Sequence, residues 1–391
     1  MQPLTDSQHD YAQSDDEQRL IQRANADDEE LARKGLVFKD DEIDNYVQRV
    51  AARLVPVVAA RAVSFRFRVI RDPTVNAFAL PNGSIYITVG LMARFETETQ
   101  LAHVLSHEIV HVVQRHAVAQ LRNRKATMIT AHVADLVLLG TSIAYLPALG
   151  SLASYSQGAE SEADRMALDY LSRAGYPLAG TERTFQIIQE VKSRDSVAGS
   201  VWASHPGNAA RIQATREAIA EGKLELNPQA PDGAKEYEAV RKRLIITTLQ
   251  VKLNVRQYEL TVASAEQAIV RNANDPWSHY YRGEAYRLMA DDPTGAAREH
   301  AWIHETRYNT ELVESYRKRK SSLLDEAAAS YRQILTIDRN FAVAHRGLGL
   351  VAYARGEGAA AREALNRYLL LGRGIDDRRY IQDIIGRIEK P

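Results

Sequence analysis

The five residues His107-Glu108-Ile109-Val110-His111 lie within residues 96–116, where apolar side chains recur at helical spacing. Side chains four apart share one face of a helix, so His107 and His111 can direct their imidazoles at one ion. Glu108 lies about 100° around the helix from His107, which places it on the open side of that ion. Neutral imidazoles are common zinc ligands. The segment therefore predicts a zinc-binding helix.

A second acidic segment, Glu160-Ser161-Glu162-Ala163-Asp164, supplies what such a site still needs. A catalytic zinc site takes a third protein ligand, and a ligand histidine needs an acceptor for its second N–H. Glu160 as ligand and Asp164 as acceptor share one helical face. Glu162 competes for the ligand role, but it lies about 200° from Glu160 and is expected to face away.

The chemistry expected from this set is hydrolysis by an activated water. We expect one Zn²⁺ per chain, with a fourth position left for water, whose pKa falls to about 7 on zinc. Glu108 would take the proton and return it to the leaving amine. The alternative, a chance pattern on a surface helix, is disfavoured by the apolar neighbours Leu105, Val112 and Val113, because bare histidines are costly to bury.

The composition narrows the other possibilities. A chain of 391 residues predicts two or three domains, and 45% hydrophobic residues are enough to form a core. Lys plus Arg and Asp plus Glu both number 50, which argues against nucleic acid as a partner. Cysteine is absent, so a metal must be held by His, Asp or Glu.

The predicted fold class is α+β and mostly α, in three segments. Residues 1–16 are expected to be a disordered tail, 17–225 a zinc metalloprotease domain with a small β-sheet, and 226–391 an all-α tetratricopeptide-repeat solenoid. Residues 66–71 alternate like a strand. The turn Pro81-Asn82-Gly83 separates two further short strands, 76–80 and 84–89.

The repeat prediction rests on small and large residues that recur in the last third of the chain. Gly283, Tyr331, Gly349 and Leu365 fall where neighbouring helices of a repeat interlock, although about 30 residues are inserted after the helix of Gly283. Repeats of this kind dock peptides or proteins. The alternative role is a structural cap on the enzyme.

Residues 136–155 carry no charge and are long enough to span a bilayer. This stretch is interrupted by Gly140, Pro147 and Gly150, so we favour a helical hairpin beside the active site over a membrane span. Such a hairpin could also make a peripheral contact with a membrane. The polar, acidic N-terminus is not a signal peptide.

Five segments occur in an order that resembles the HtpX/BepA-type zinc peptidases (peptidase family M48, gluzincin class). They are Asn76–Gly83, Gly90-Leu91, His107–His111, Glu160–Arg165 and Ser204-His205-Pro206 with Arg211-Ile212. The resemblance covers roughly residues 41–220, and the repeats are similar to the BepA-like branch. It implies zinc-dependent cleavage of misfolded or stalled envelope proteins in the periplasm, with any leader already removed; the cytoplasm is the alternative. It also implies outer-membrane assembly machinery as a partner.

The resemblance assigns roles residue by residue. It makes His107, His111 and Glu160 the zinc ligands, Glu108 the catalytic base and Asp164 the residue that orients a ligand histidine. The edge strand with Asn76, Ala77, Phe78 and Ala79 is implied to pair with the substrate backbone, which suits loose sequence specificity because main-chain hydrogen bonds ignore side chains.

The roles of three further residues are left open by the sequence. The resemblance places His205 near the metal, as a transition-state donor or an occluding ligand, whereas a plain loop histidine would cap the helix that follows. Arg211 is expected to anchor that loop or to pair near Asp164. His103 extends the histidine stripe by one turn and is expected to pack or to support the ligands. For the chain as a whole, the alternative function is a chaperone or adaptor in which proteolysis is secondary or latent.

Overall fold

The computed structural model of the protein describes residues 2–6, 13–127, 155–194, 208–221, 230–372 and 376–389. These residues are mostly helical and contain one three-stranded sheet, which confirms the predicted fold class. The chain divides by contacts into two compact units, Met1–Thr248 and Leu249–Pro391. The predicted boundary at residues 225 and 226 falls in the segment 222–229, outside the described residues.

Ten helices begin among the described residues of the first unit, in line with the helical spacing of their apolar residues. They are α1 (Asp15–Arg33), α2 (Asp41–Ala52), α3 (Val57–Ala62), α4 (Val89–Met92), α5 (Glu98–Val113), α6 (His116–Thr127), α7 (Gln157–Arg173), α8 (Thr181–Arg194), α9 (Asn208–Ala220) and α10 (Ala234–Asn254). The hydroxyl of Ser156 caps α7 by accepting the N–H of Ala159 at 3.3 Å. Gly175, with φ +76°, follows the end of α7 where the sequence predicts a stop.

The sheet contains β1 (Arg66–Ile70), β2 (Ala77–Ala79) and β3 (Ser84–Thr88), in the order β1-β3-β2. β2 and β3 form the predicted antiparallel hairpin. Gly83 has φ +86°, a conformation that favours glycine and closes the turn. β1 pairs parallel to β3, so β3 is the central strand and β2 lies at the edge.

α5 is the central helix of the first unit. It contacts β2, β3, α2, α7 and α8, and nearly all its residues are buried. A helix buried on every side needs an apolar surface all round, which Leu101, Ala102, Val104 and Val110 supply from four different directions. The polar residues on this helix are therefore held in a dry and closely packed environment.

The N-terminal segment departs from the expected disordered tail in two places. Leu4 is buried, and its N–H donates to the backbone oxygen of Val113 at 2.8 Å. α1 begins at Asp15, within the predicted tail. On α1, buried Asp28 accepts hydrogen bonds from Arg66 at 3.0 Å and from Ser84 at 2.7 Å. Helix α1 is thus joined to the sheet through a buried carboxylate, which sequence periodicity does not predict.

Among its described residues the second unit is all-α. Its helices after α10 are α11 (Tyr258–Arg271), α12 (Pro276–Asp291), α13 (Pro293–Ile303), α14 (Thr310–Lys318), α15 (Lys320–Ile337), α16 (Ala342–Ala354), α17 (Gly358–Leu371) and α18 (Arg378–Ile388). The ring of buried Tyr331 lies against Gly283 of α12 and Gly347 of α16. A Cβ atom added at Gly347 would lie 2.4 Å from this ring, so only glycine fits there. The assignment to tetratricopeptide repeats stays a prediction.

Residues 136–154 lie outside the described residues, so their predicted hairpin is not tested. Elsewhere, in the part of the chain that the structure describes, every helix is too short or too polar to cross a membrane.

Candidate metal centre

Helices α5 and α7 bring three buried side chains of the first unit together. The Nε2 atoms of His107 and His111 lie 2.9 Å apart. Oε2 of Glu160 lies 3.4 Å from Nε2 of His107, and its Oε1 lies 3.6 Å from Nε2 of His111. One ligand atom from each residue can therefore face a single point in space.

This donor set fits a zinc ion. Ligands about 2.1 Å from a tetrahedral zinc lie roughly 3.3 Å from one another, which is close to the three separations between His107, His111 and Glu160. Two imidazole nitrogens and a carboxylate oxygen are donors that zinc accepts readily, whereas calcium and magnesium prefer oxygen alone. Three protein ligands also leave one position for water, as in catalytic zinc sites.

The carboxylate of Asp164 and the guanidinium of Arg211 position His107 through its Nδ1 atom, on the side of the ring away from the other ligands. Nδ1 of His107 lies 3.0 Å from Oδ1 of Asp164 on α7. Arg211 on α9 donates two hydrogen bonds to the same carboxylate, both at 2.7 Å. Burial alone would raise the pKa of Asp164, but Arg211 and His107 hold it well below its usual range. An ionised Asp164 accepts the Nδ1–H of His107 and leaves Nε2 free to bind a metal.

The second histidine is held by His116, which the sequence did not single out, and through it by Glu162. Nδ1 of His111 lies 2.8 Å from Nδ1 of His116, and Nε2 of His116 lies 3.3 Å from Oε2 of Glu162. Burial lowers the pKa of His116, so its neutral ring can accept from His111 and donate to Glu162. Glu162 faces away from the three candidate ligands, as the helical spacing predicts, and supports one of them indirectly.

The helical spacing gave no signal for His116, because it lies beyond a break in the helix. Arg115, just before it, has φ 57°, which turns the backbone between α5 and α6. A position five residues after His111 then returns to the same site. The sequence could have indicated His116 only through its closeness to the ligand pair, because it lies just past the end of their helix.

Glu108 is fully buried on α5, beside the ligand histidines. The ring of Tyr155 stacks on His111 with 4.0 Å between centroids. Burial is the main reason that the pKa of Tyr155 lies above its ordinary range, and the negative charges of Glu108 and Glu160 add to this. The carboxylates of Glu108 and Glu160 therefore both lie close enough to Tyr155 to affect its pKa.

His103 supports the site by packing. Its ring makes an edge contact with that of Phe185, with 5.1 Å between centroids, and the guanidinium of Arg211 lies over the same Phe185 ring at 4.9 Å. Burial lowers the pKa of His103 to about 3, so this side chain stays neutral. His103 is not part of the group that could hold an ion.

The four residues predicted to bind substrate lie on and before the edge strand. The backbone oxygen of Asn76 and the N–H of Leu80 bond to β3, at 3.0 and 2.8 Å. Backbone groups alternate in direction along a strand, so those of Ala77 and Ala79 point away from β3, while Phe78 pairs with it. The buried side-chain amide of Asn76 has no hydrogen-bond partner within the described ranges. His205 lies outside the described residues, so its predicted role is not tested.

Comparison with known proteins agrees with this geometry. Residues 41–219 match the sequence model of peptidase family M48. The mitochondrial metalloendopeptidase OMA1 of Schizosaccharomyces pombe is 29% identical over 46% of this chain and 54% of its own length. A putative beta-barrel assembly-enhancing protease of Vibrio cholerae is 29% identical over 54% of this chain and 45% of its own length. The metalloprotease YcaL of Escherichia coli is 26% identical over 51% of this chain and 83% of its own length.

Residues 41–219 are therefore a peptidase family M48 domain, and the resemblance found in the sequence motifs is confirmed over this range. The predicted enzyme class, a metalloprotease, is confirmed for the domain by the same match and by the metalloprotease relatives. The chain spans about half the length of the first two of these relatives.

Proposed function

We propose that the protein is a zinc-dependent endopeptidase that cleaves misfolded or stalled proteins of the cell envelope. The observation that carries the proposal is the close approach of His107, His111 and Glu160 around one point, with the buried carboxylate of Glu108 next to them in sequence. This is a complete set of ligands and base for peptide hydrolysis.

Each residue then has a stated task. When bound to the three ligands, zinc supplies a Lewis acid and lowers the pKa of a water ligand to about 7. Glu108 takes a proton from the attacking water and delivers it to the leaving nitrogen of the substrate. The bonds of Asp164 and His116 keep both ligand rings in the tautomer and orientation that turn Nε2 toward the ion.

The edge strand supports an extended and loosely specified substrate. The backbone groups of Ala77 and Ala79 point away from β3 and take no part in the sheet, so a peptide that reaches this buried edge can pair with it as an additional strand. Main-chain pairing does not select side chains, which suits an enzyme for unfolded proteins. The unsatisfied amide of Asn76 is a further donor and acceptor beside this strand, and pairing it would recover an energetic cost of about 1–3 kcal/mol.

The setting of the enzyme is inferred from its relatives. Proteins named as beta-barrel assembly-enhancing proteases match half of this chain. On that basis we place the protein in the periplasm and assign the second, all-α unit to docking of substrates or of an outer-membrane assembly partner. Trp277 and Tyr380 of that unit are exposed, and Trp and Tyr are enriched among the residues that dominate protein interfaces.

The decisive experiment compares Glu108→Gln with the unchanged protein on an unfolded protein substrate such as casein. We expect a loss of hydrolysis of at least about 10²–10⁴-fold, which is the range for a positioned acid–base group, with zinc content unchanged. Glu217→Gln, the same substitution at an exposed position of α9, is the control and should keep full activity.

A chelator should abolish cleavage by the unchanged protein, and added zinc should restore it. If Glu108→Gln keeps its peptidase activity, the assignment of the base is wrong. If the variant loses peptidase activity but fully supports envelope assembly in cells, the docking role and not proteolysis is the principal function.

A further inference from the structure

A second group of potential metal ligands lies in the all-α unit, outside the sequence motifs that indicate the metal centre of the first unit. His300 and His304 are four residues apart at the end of α13, and Glu259 lies in the first turn of α11. Nδ1 of His300 is 2.9 Å from Oε1 of Glu259, and Nε2 of His304 is 3.4 Å from Oε2. One ligand atom from each residue lies within 4.8 Å of the others.

This group repeats the chemistry of the centre in the first unit, with two imidazoles and a carboxylate. The two nitrogen–oxygen separations are close to the roughly 3.3 Å expected between neighbouring ligands of a tetrahedral zinc ion. The imidazole centroids of His300 and His304 are 4.2 Å apart, so both rings face the same carboxylate. The donor types suit Zn²⁺ and its transition-metal neighbours but not Ca²⁺ or Mg²⁺.

Neighbouring groups fix the carboxylate and the two helices. The hydroxyl of Tyr316 donates to Oε1 of Glu259, which orients it from behind. The carboxylate of Glu299 accepts the backbone N–H groups of Glu259 at 2.8 Å and of Leu260 at 3.1 Å. Because Glu299 precedes His300, these bonds hold the start of α11 against the end of α13.

The position also favours a cation and leaves it accessible. A helix C-terminus carries partial negative charge, and His304 is the C-cap residue that follows the end of α13. The side chain of His304 is 51% exposed and that of His300 is 32% exposed. Solvent can therefore supply the remaining ligand, whereas the ligands in the first unit are buried.

We propose that Glu259, His300 and His304 form a second transition-metal site that binds Zn²⁺ and clamps α13 to α11. An ion bound there would take the place of the two hydrogen bonds to Glu259, and each imidazole proton that faces the carboxylate would move to the other ring nitrogen or to solvent. Because it lies outside residues 41–219, this site is not the one that the peptidase family provides. Its role is to stabilise the all-α unit.

The test counts zinc ions on the full-length protein. Metal-free protein is titrated with zinc chloride in a calorimeter, and bound zinc is measured by mass spectrometry after gel filtration. We expect His304→Gln to bind one zinc ion fewer per chain than the unchanged protein while keeping its casein hydrolysis. His345→Gln, at another histidine of the same unit, which bonds to the backbone oxygen of Arg339, is the control and should keep the full zinc content.

A second measurement uses Trp302, which lies between the two histidines in sequence and is 41% exposed. Cobalt chloride should quench its fluorescence in the unchanged protein, and His304→Gln should lose this quenching. Equal zinc content in His304→Gln and the unchanged protein would overturn the proposal. So would an equal loss of zinc in His345→Gln, because binding would then not depend on this group.

Discussion

His111 and His116 face each other through their Nδ1 atoms, 2.8 Å apart, although a break in the helix separates them. Only one of the two nitrogens can carry a proton. When Nδ1 of His111 donates, its Nε2 is unprotonated and available to a metal. His116 then donates its own Nε2–H to the carboxylate of Glu162. His116 therefore sets the tautomer of His111, although it belongs to none of the sequence motifs that indicate the metal centre.

Replacing His116 should weaken zinc binding. In His116→Phe the Nδ1–H of His111 loses its acceptor, and removing a partner of this kind typically lowers metal affinity about 10–100-fold. Competition with a chromophoric chelator measures the affinity. His279→Phe, at a histidine of the all-α unit that bonds to the oxygen of Ala273, controls for the loss of an imidazole. An unchanged affinity in His116→Phe would show that the contact does not orient His111.

The ion pair of Arg211 and Asp164 should matter for stability because it is buried. In Arg211→Met the carboxylate of Asp164 keeps a buried charge without its guanidinium, which costs about 3–5 kcal/mol of unfolding free energy. Arg216→Met, on the same helix, breaks an exposed pair with Glu182 and should destabilise far less, because solvent screens such a pair. Urea unfolding of metal-free protein measures both. Equal losses would mean that burial of the pair is not what stabilises it.

Sequence spacing predicts those parts of the site that lie on one regular helix. The pairs His107 and His111, and Glu160 and Asp164, follow from 3.6 residues per turn alone. The contact of His111 with His116 depends on a left-handed Arg115, and no periodicity encodes a turn of that kind. The hairpin of the sheet is likewise predicted by its turn, whereas the parallel pairing of β1 with β3 joins distant segments. Such pairing depends on tertiary packing rather than on local pattern.

His103 should make stability depend on acid. Burial lowers its pKa in the folded protein to about 3, against 6.5 for an ordinary histidine, with Asp164 opposing this shift. Between these values the unfolded chain binds a proton that the folded chain does not, so stability falls as pH falls. From pH 6.5 to pH 5 the loss is about 1–2 kcal/mol. His103→Leu should remove that part of the slope.

Urea unfolding of both chelated proteins across this pH range measures the difference in slope, and metal loss does not contribute to it. Any constant change in packing shifts both ends of the curve equally and does not alter the comparison. Parallel curves for the two proteins would contradict a neutral, buried His103.

Gly347 should be required by the ring of Tyr331. An alanine Cβ there would approach the ring to 2.4 Å, and overpacking of this kind costs about 1–3 kcal/mol. Gly386, inside α18, has no atom within 4 Å of an added Cβ, so Gly386→Ala should stabilise by about 0.5–1 kcal/mol. Thermal unfolding of the two variants shows whether each substitution raises or lowers stability. A stabilised Gly347→Ala would show that Tyr331 can move aside at little cost.

The edge strand offers a test of substrate pairing. The N–H of Ala79 points away from β3, and proline is tolerated in edge strands where no ladder hydrogen bond is lost. Ala79→Pro should therefore fold but lose one main-chain bond to an extended substrate. A bond of about 1 kcal/mol corresponds to a fall of roughly fivefold in kcat/KM on casein. Zinc content should not change, because Ala79 is not a ligand.

Val57→Pro is the matched control, since Val57 is exposed at the first position of α3, where proline fits a helix. It should keep the kcat/KM of the unchanged protein. If Ala79→Pro also keeps it, substrates do not pair with β2, and other residues of the protein must bind them. If Ala79→Pro loses zinc as well as activity, the strand supports the metal centre instead, because loss of a substrate bond alone leaves the ligands in place.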